Sequence, residues 1–158
     1  MSSKRLSAFA FLCVLALPTV AWAQTSITIL GLRSAAADEE VATNVTDALR
    51  QAAEAATSNN LSHTGRENAL SQLLMLFDCT EPTPACVQEI GENLNSERLI
   101  FGLVEPETGR DDADYAVTLN FFNVETGQVE RSLREIIPRN MTAEEMIEPV
   151  SRYYTALT

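Results

Sequence analysis

Apolar residues recur along this chain with a spacing that changes from strand-like to helix-like. Residues 25–32 are rich in apolar and β-branched side chains, which predicts a first strand. Over residues 36–56 the apolar positions recur every three or four residues and form one stripe: Val41, Val45, Ala48, Leu49, Ala52 and Ala56. That spacing predicts an amphipathic helix.

A short second strand is predicted at 61–63, and two helices follow it. The first of these helices spans about 66–77, behind a capping box in which Thr64 and Glu67 would cap each other's backbone amides. The second opens at Pro84, because proline at the first helical position gives up only an amide that had no partner.

The second half of the chain reads mainly as strands. Residues 99–104 contain no polar side chain, as expected for a strand covered on both faces. Residues 115–122 and 129–137 flank a tight turn, so they must pair antiparallel. Residues 142–145 form a capping box that opens a last helix. The order β-α-β-α-α-β-β-β-α predicts an α/β (mixed α+β) fold: one mixed sheet carrying helices, with a closing antiparallel hairpin.

The first 23 residues have the layout of a secretory signal. Two basic residues precede an apolar run that is too short for a stable anchor, which needs about 20 residues. Small residues follow, which predicts cleavage between Ala23 and Gln24 and a single domain over 24–158. The alternative is a lipoprotein acylated at Cys13, but Cys13 lies in the middle of the apolar run.

The charge of the chain excludes two classes of partner. The 158 residues include 22 acidic and 11 basic side chains, a net charge of −11. Removal of the signal takes away one lysine and one arginine, so the mature chain would have a net charge of −13. All of its remaining Lys/Arg positions would be arginine. Such a chain is repelled by nucleic acid and by anionic lipid. Solubility is the simpler explanation of the acidity.

Two cysteines remain after removal of the signal, Cys79 and Cys86. An even pair in an exported protein predicts a disulfide. The alternatives are two buried free thiols, or a metal site, for which the ligand set is incomplete.

No recognisable set of catalytic residues is present. The one histidine, His63, has no nearby nucleophile, and the sequence lacks the common hydrolase, metalloprotease and phosphate-loop motifs. We therefore predict that the chain is not an enzyme, with no catalytic, cofactor-binding or metal-binding residues. The acidic cluster at 109–114 is interpreted as a solvated loop, with a calcium site as the alternative.

The segment from Cys79 through Cys86-Val-Gln-Glu-Ile-Gly-Glu-Asn-Leu to Gly102 resembles a pattern in exported α/β domains of Gram-negative bacteria. Residues 115–127 add to this resemblance. These domains are similar to the amino-terminal domain of TolB and to CsgG-type assembly domains, and they often precede PEGA or tetratricopeptide segments. The resemblance implies a non-catalytic periplasmic domain in which Cys79, Cys86, Gly91, Gly102 and Gly127 are structural.

The leading functional prediction is an exported interaction or scaffold domain of the cell envelope, located in the periplasm or at the periphery of the outer membrane. Its partner would be another envelope or periplasmic protein. No nucleic acid and no integral membrane segment are expected. The alternative is a periplasmic domain that binds a small ligand at the strand ends, near residues 105–114.

Overall fold

The structure is a computed structural model that describes residues 25–56, 60–61, 69–107 and 114–158. Its strands form one five-stranded mixed sheet. They are β1 (Ser26–Ile29), β2 (Asn60–Leu61), β3 (Arg98–Pro106), β4 (Tyr115–Asn123) and β5 (Gln128–Ile137).

Four α-helices accompany the sheet. A 3₁₀ turn at Ala36–Asp38 leads into α1 (Glu39–Ala55), and the others are α2 (Leu70–Leu76), α3 (Pro84–Asn93) and α4 (Ala143–Leu157). The predicted order of elements and the mixed α/β class are both confirmed.

The strands lie in the order β2-β1-β3-β4-β5. β1 runs parallel to both β2 and β3, whereas β3, β4 and β5 form an antiparallel meander. Phe121 pairs with Arg131, but Phe122 pairs with Val129, so Glu130 is an extra residue in β5. This β-bulge bends the edge strand near the start of its ladder.

Each face of the sheet carries its own hydrophobic core. The first cluster packs α1 and α4 on one face, with Leu49, Ile100, Leu119 and Val150 among its buried members. The second cluster packs α2 and α3 on the other face, around buried residues such as Leu74, Ile90, Leu99 and Phe122. Burial of apolar surface on both faces of β3 explains why that strand has no polar residue from 99 to 104.

One helix begins later than the sequence predicts. Ala69 has extended backbone angles and pairs with Gly31, and the amide of Leu70 donates to the Gly31 carbonyl oxygen at 2.9 Å. Pairing with the first strand therefore delays the start of α2 to Leu70. The predicted capping box at 64–67 and His63 lie outside the described residues.

Two other helix starts agree with their sequence signals. The Thr142 hydroxyl accepts from the Glu145 amide at 3.3 Å, and Glu145 Oε2 accepts from the Thr142 amide at 2.8 Å, which completes the capping box of α4. At α3, the Thr83 hydroxyl accepts from the Cys86 amide and Pro84 occupies the first turn.

Two glycines permit close approaches between elements. A Cβ atom on Gly102 would lie 1.9 Å from the Thr118 carbonyl oxygen of the neighbouring strand, and one on Gly91 would lie 2.4 Å from Val124 Cγ2. Backbone and β-branched side chains cannot yield by that much, so the sheet and the seat of α3 require these glycines.

Within the described ranges, no helix is both long enough and apolar enough to span a bilayer.

Candidate functional site

The predicted disulfide is present. Cys79 and Cys86 are joined by an S–S bond of 2.00 Å, with their Cα atoms 6.4 Å apart. The bond ties the end of α2 to the first turn of α3. Arg33 fixes the same loop to the end of the first strand, because its Nη1 donates to Glu81 Oε2 at 3.1 Å.

Several predicted features fall outside the residues that the structure describes. They are the cleavage site at Ala23 and Gln24, the histidine His63 and residues 109–113 of the acidic cluster. Asp114, the last residue of that cluster, accepts from the Arg139 amide at 3.2 Å. The described ranges contain no group of three metal-ligating side chains, and both signal cleavage and the calcium alternative remain predictions.

At the end of the sheet near residues 105–114, the structure brings together three residues that the sequence leaves unrelated. The Tyr115 hydroxyl donates to Asp38 Oδ1 at 3.0 Å, and both side chains are buried. The Arg139 guanidinium lies 5.4 Å from the centre of the Tyr115 ring, in a cation–π contact. The sequence indicates only that Asp38 suits the positive end of the α1 dipole.

The contacts of this cluster favour the protonated form of the Tyr115 phenol. Burial raises the pKa of Tyr115, and the hydrogen bond to Asp38 and its negative charge add to that rise. A phenol with a raised pKa stays protonated at neutral pH and acts as a donor, not as a general base. The cluster therefore fastens the 3₁₀ turn to the start of β4.

A groove of about 440 Å³ lies on the surface between α1 and α4. Its lining includes the carboxylates of Asp47, Glu54 and Glu144. All of its described lining residues belong to α1 and α4, whereas the ligand site was predicted at the strand ends near residues 105–114.

The most distinctive surface is a part of the sheet that α2 and α3 leave uncovered. Side chains alternate between the two faces along each strand. The side chains on the α2–α3 side of β3, β4 and β5 that belong to neither core cluster include Leu103, Thr118, Asn120, Ser132, Arg134 and Ile136. We call these six residues the open face.

Cross-strand pairs give the open face a regular arrangement. Thr118 lies between Leu103 and Arg134, and the Ser132 hydroxyl donates to Asn120 Oδ1 at 2.9 Å. Ala116 lies between Glu105 and Ile136 and marks the outer end of the face. The side chains at the centre of the face, Thr118, Asn120 and Ser132, are short and polar.

Exposed apolar side chains concentrate on this same side of the sheet. In the described part of the chain, four large apolar residues are exposed: Met75, Leu76, Val129 and Ile136. The first two belong to α2, and the other two lie on β5, facing the α2–α3 side. The α1–α4 side has no counterpart among the described residues.

No protein-family model matches the chain, and no curated protein matches it. Solved structures do match. A PelC dodecamer from Paraburkholderia phytofirmans is 11% identical, with a TM-score of 0.52 over 85% of this chain and 88% of that one. LpoB from E. coli is 14% identical, with a TM-score of 0.50 over 73% of this chain and 58% of LpoB.

TolB from Acinetobacter baumannii is also similar, at 13% identity and a TM-score of 0.45, over 85% of this chain and 28% of that one. The neighbours thus include TolB, the protein named in the predicted resemblance. At these identities the likeness extends to the fold alone. The CsgG-type and PEGA relationships stay predictions.

Proposed function

We propose that this chain is a non-catalytic, exported interaction domain of a Gram-negative cell envelope, and that the open face contacts its protein partner. One observation carries the proposal: α2 and α3 cover only part of their side of the sheet, and the side chains of the open face beside them are partly or fully exposed. A sheet face that is not needed for the core is available for a partner.

The composition of the open face supports a protein contact. Arg134 is its only charged member, and Glu105 at its outer end balances that charge, although the whole chain carries −11. Depletion of charge around an exposed arginine and apolar side chains is typical of the centre of protein interfaces. The rest of the surface is acidic enough to keep the domain soluble.

Three further observations support export and assembly. The segment 1–23 has the layout of a secretory signal, and a disulfide is typical of an oxidising compartment. The PelC structure with the same fold is a dodecamer, which is an assembly made through protein contacts. Export itself is tested by the intact mass of the purified protein, which should correspond to a chain that begins at Gln24.

The contact surface is tested by photo-crosslinking in the envelope of cells that express the full-length chain. A photoreactive residue replacing Ser132 on the open face should capture a protein other than a second copy of this chain, and one replacing Arg152 on α4 should not. In a second pair of variants the same charge reversal is made on opposite sides of the molecule: Arg134→Glu should abolish the Ser132 crosslink, whereas Arg152→Glu should leave it intact.

Both arginines are exposed, so neither reversal should unfold the domain. The proposal is wrong if the Arg152 position captures the partner equally well, or if both reversals have the same effect on the Ser132 crosslink.

A further inference from the structure

We infer that the edge strand β5 pairs antiparallel with β5 of a second copy of this chain, across a two-fold axis at Leu133. The strand that pairs with this edge thus comes from a second copy of the same protein. The inference goes beyond the proposed function and does not depend on what the open face binds.

The edge is long and has one neighbour. β5 spans ten residues and pairs with β4 on one side, and no described strand lies on its other side. Typical strands have about five or six residues. An edge strand presents a row of backbone N–H and C=O groups that a further strand can pair with.

Some charged residues of β5 form ion pairs within one copy of the chain, and others do not. At the bulge, Glu130 accepts from Arg98 Nε at 3.1 Å and from Asn123 Nδ2 at 2.7 Å. Arg131 and Glu135 have no ion pair with any described residue, and Nη1 of Arg131 donates to the Leu157 carbonyl oxygen at 3.3 Å. Two unpaired charges of opposite sign thus lie beyond the bulge on the α1–α4 side of β5.

In one register of pairing, a second copy provides an ion-pair partner for both Arg131 and Glu135. When two identical strands pair antiparallel, residues at equal distances from the axis face each other. An axis at Leu133 places Arg131 opposite Glu135 of the second copy, and this contact occurs twice. Ser132 then faces Arg134 of the second copy, and Leu133 faces its own equivalent.

Other registers are poorer. An axis at Arg131 or at Arg134 sets an arginine against the same arginine, which is destabilising. An axis at Ser132 places Arg131 opposite Leu133 and leaves the charge without a partner. The bulge at Glu130 and the proline after the strand, Pro138, confine regular pairing to residues 131–137. The favoured register pairs residues 131–135 of the two copies, which lie within that segment.

The pairing has a consequence for the open face. A two-fold axis perpendicular to a continuous sheet keeps equivalent faces on the same side. The open faces of the two copies would then adjoin through Ser132 and Arg134 to form one surface that extends over both molecules. A partner could bind across the junction.

The test is the oligomeric state of protein purified after expression of the full-length chain. Sedimentation equilibrium over a range of concentrations, in about 0.15 M salt to screen the repulsion between acidic copies, should show a monomer–dimer equilibrium. Arg131→Glu or Glu135→Arg alone turns two attractive pairs into repulsive ones and should weaken the dimer by about tenfold or more. The double variant that exchanges the two charges should restore it.

Arg134→Glu is the matched control, because Arg134 faces the neutral Ser132 in this register; it should change the dissociation constant by less than about threefold. Amide hydrogen exchange supplies a second readout in the wild type, since pairing should slow exchange in β5 as concentration rises.

A chain that stays monomeric throughout would overturn the inference. So would single reversals that dimerise like the wild type, or a double exchange that fails to restore the dimer. Absence of a Ser132 crosslink to another protein when Arg134 is unchanged, with the dimer intact, would instead count against the proposed function.

Discussion

Asp38 and Tyr115 form a buried hydrogen bond between residues 77 positions apart in the chain, and the aromatic ring also contacts Arg139. At the scale of single residues, this hydrogen bond makes the free energy of unfolding depend on pH. Because burial and Asp38 raise the pKa of Tyr115, the folded protein holds the phenol proton more tightly than the unfolded chain. This contribution to stability is complete below about pH 10, and it is lost as pH rises through the raised pKa.

Tyr115→Phe should lower the free energy of unfolding at neutral pH by about 1–3 kcal/mol, because the buried Asp38 carboxylate loses a donor. The variant should also lose less stability than the wild type between neutral pH and alkaline pH. Urea unfolding at several pH values measures both effects. Tyr153→Phe is the control at neutral pH, where it should cost less: burial raises the pKa of this partly exposed phenol too, but the phenol has no hydrogen bond to Asp38. Equal alkaline destabilisation of wild type and Tyr115→Phe would contradict the role assigned to this bond.

A second prediction at this scale concerns Gly102. Gly102→Ala should destabilise the domain by at least about 2 kcal/mol, because the new methyl group meets the backbone oxygen of Thr118. Gly91→Ala should cost less, since its obstacle is the side chain of Val124, and adding Val124→Ala should relieve that clash. Thermal unfolding of the three variants provides the comparison, and an equal loss in Gly102→Ala and Gly91→Ala would contradict this account.

At the scale of elements, a capping signal in the sequence sets the start of one helix, and a tertiary contact sets the start of another. The start of α4 follows its capping box, whereas α2 begins at Leu70 because Ala69 pairs with Gly31. Hydrogen bonds from the amide and hydroxyl of Thr142 lower the pKa of Glu145. The stability that this carboxylate contributes is therefore present above its ordinary range and is lost as pH falls through its lowered pKa.

Thr142→Ala should destabilise the domain by about 1 kcal/mol at neutral pH, through loss of the cap. The difference from the wild type should shrink in acid, where Glu145 is protonated in both proteins. Thr155→Ala, the same change at an exposed position inside the same helix, should have little effect. The measurement is urea unfolding at neutral and acidic pH, and a Thr142→Ala difference that is unchanged in acid would argue against the capping box as its source.

At the scale of the whole molecule, two cores hold the helices to opposite faces of one sheet. Leu99 lies on the central strand and is fully buried in the second core, whereas Leu76 on α2 is 75% exposed. The same substitution at these two positions therefore separates burial from residue type.

Leu99→Asp should abolish cooperative unfolding, because a buried unpaired carboxylate costs several kcal/mol. Leu76→Asp should leave the free energy of unfolding within about 0.5 kcal/mol of the wild type. Circular dichroism during heating measures both. Cooperative melting of Leu99→Asp near the wild-type temperature would mean that the second core is not needed for the fold.

Much of the fold was predictable because it rests on local spacing. The alternation at 115–122, the stripe of α1 and the turn that joins β4 to β5 each depend on residues close together in sequence. The candidate site was not predictable. Thr118, Asn120 and Ser132 read as the ordinary polar side of a hairpin, and only the limited reach of α2 and α3 shows that no described helix lies over this side. The bond from Asp38 to Tyr115 was missed because it joins residues 77 positions apart in the chain.

The sequence by itself determined the order of elements, the disulfide pair and the absence of polar residues from the central strand. These depend on hydrophobic periodicity, turn residues and cysteine count, which act over a few neighbouring positions. Only the tertiary structure decided which strands lie at the edge, which part of the sheet stays uncovered and which charges on β5 remain without an ion pair. Those properties arise when distant segments meet, because burial and pairing are shared between surfaces that the linear chain does not place side by side.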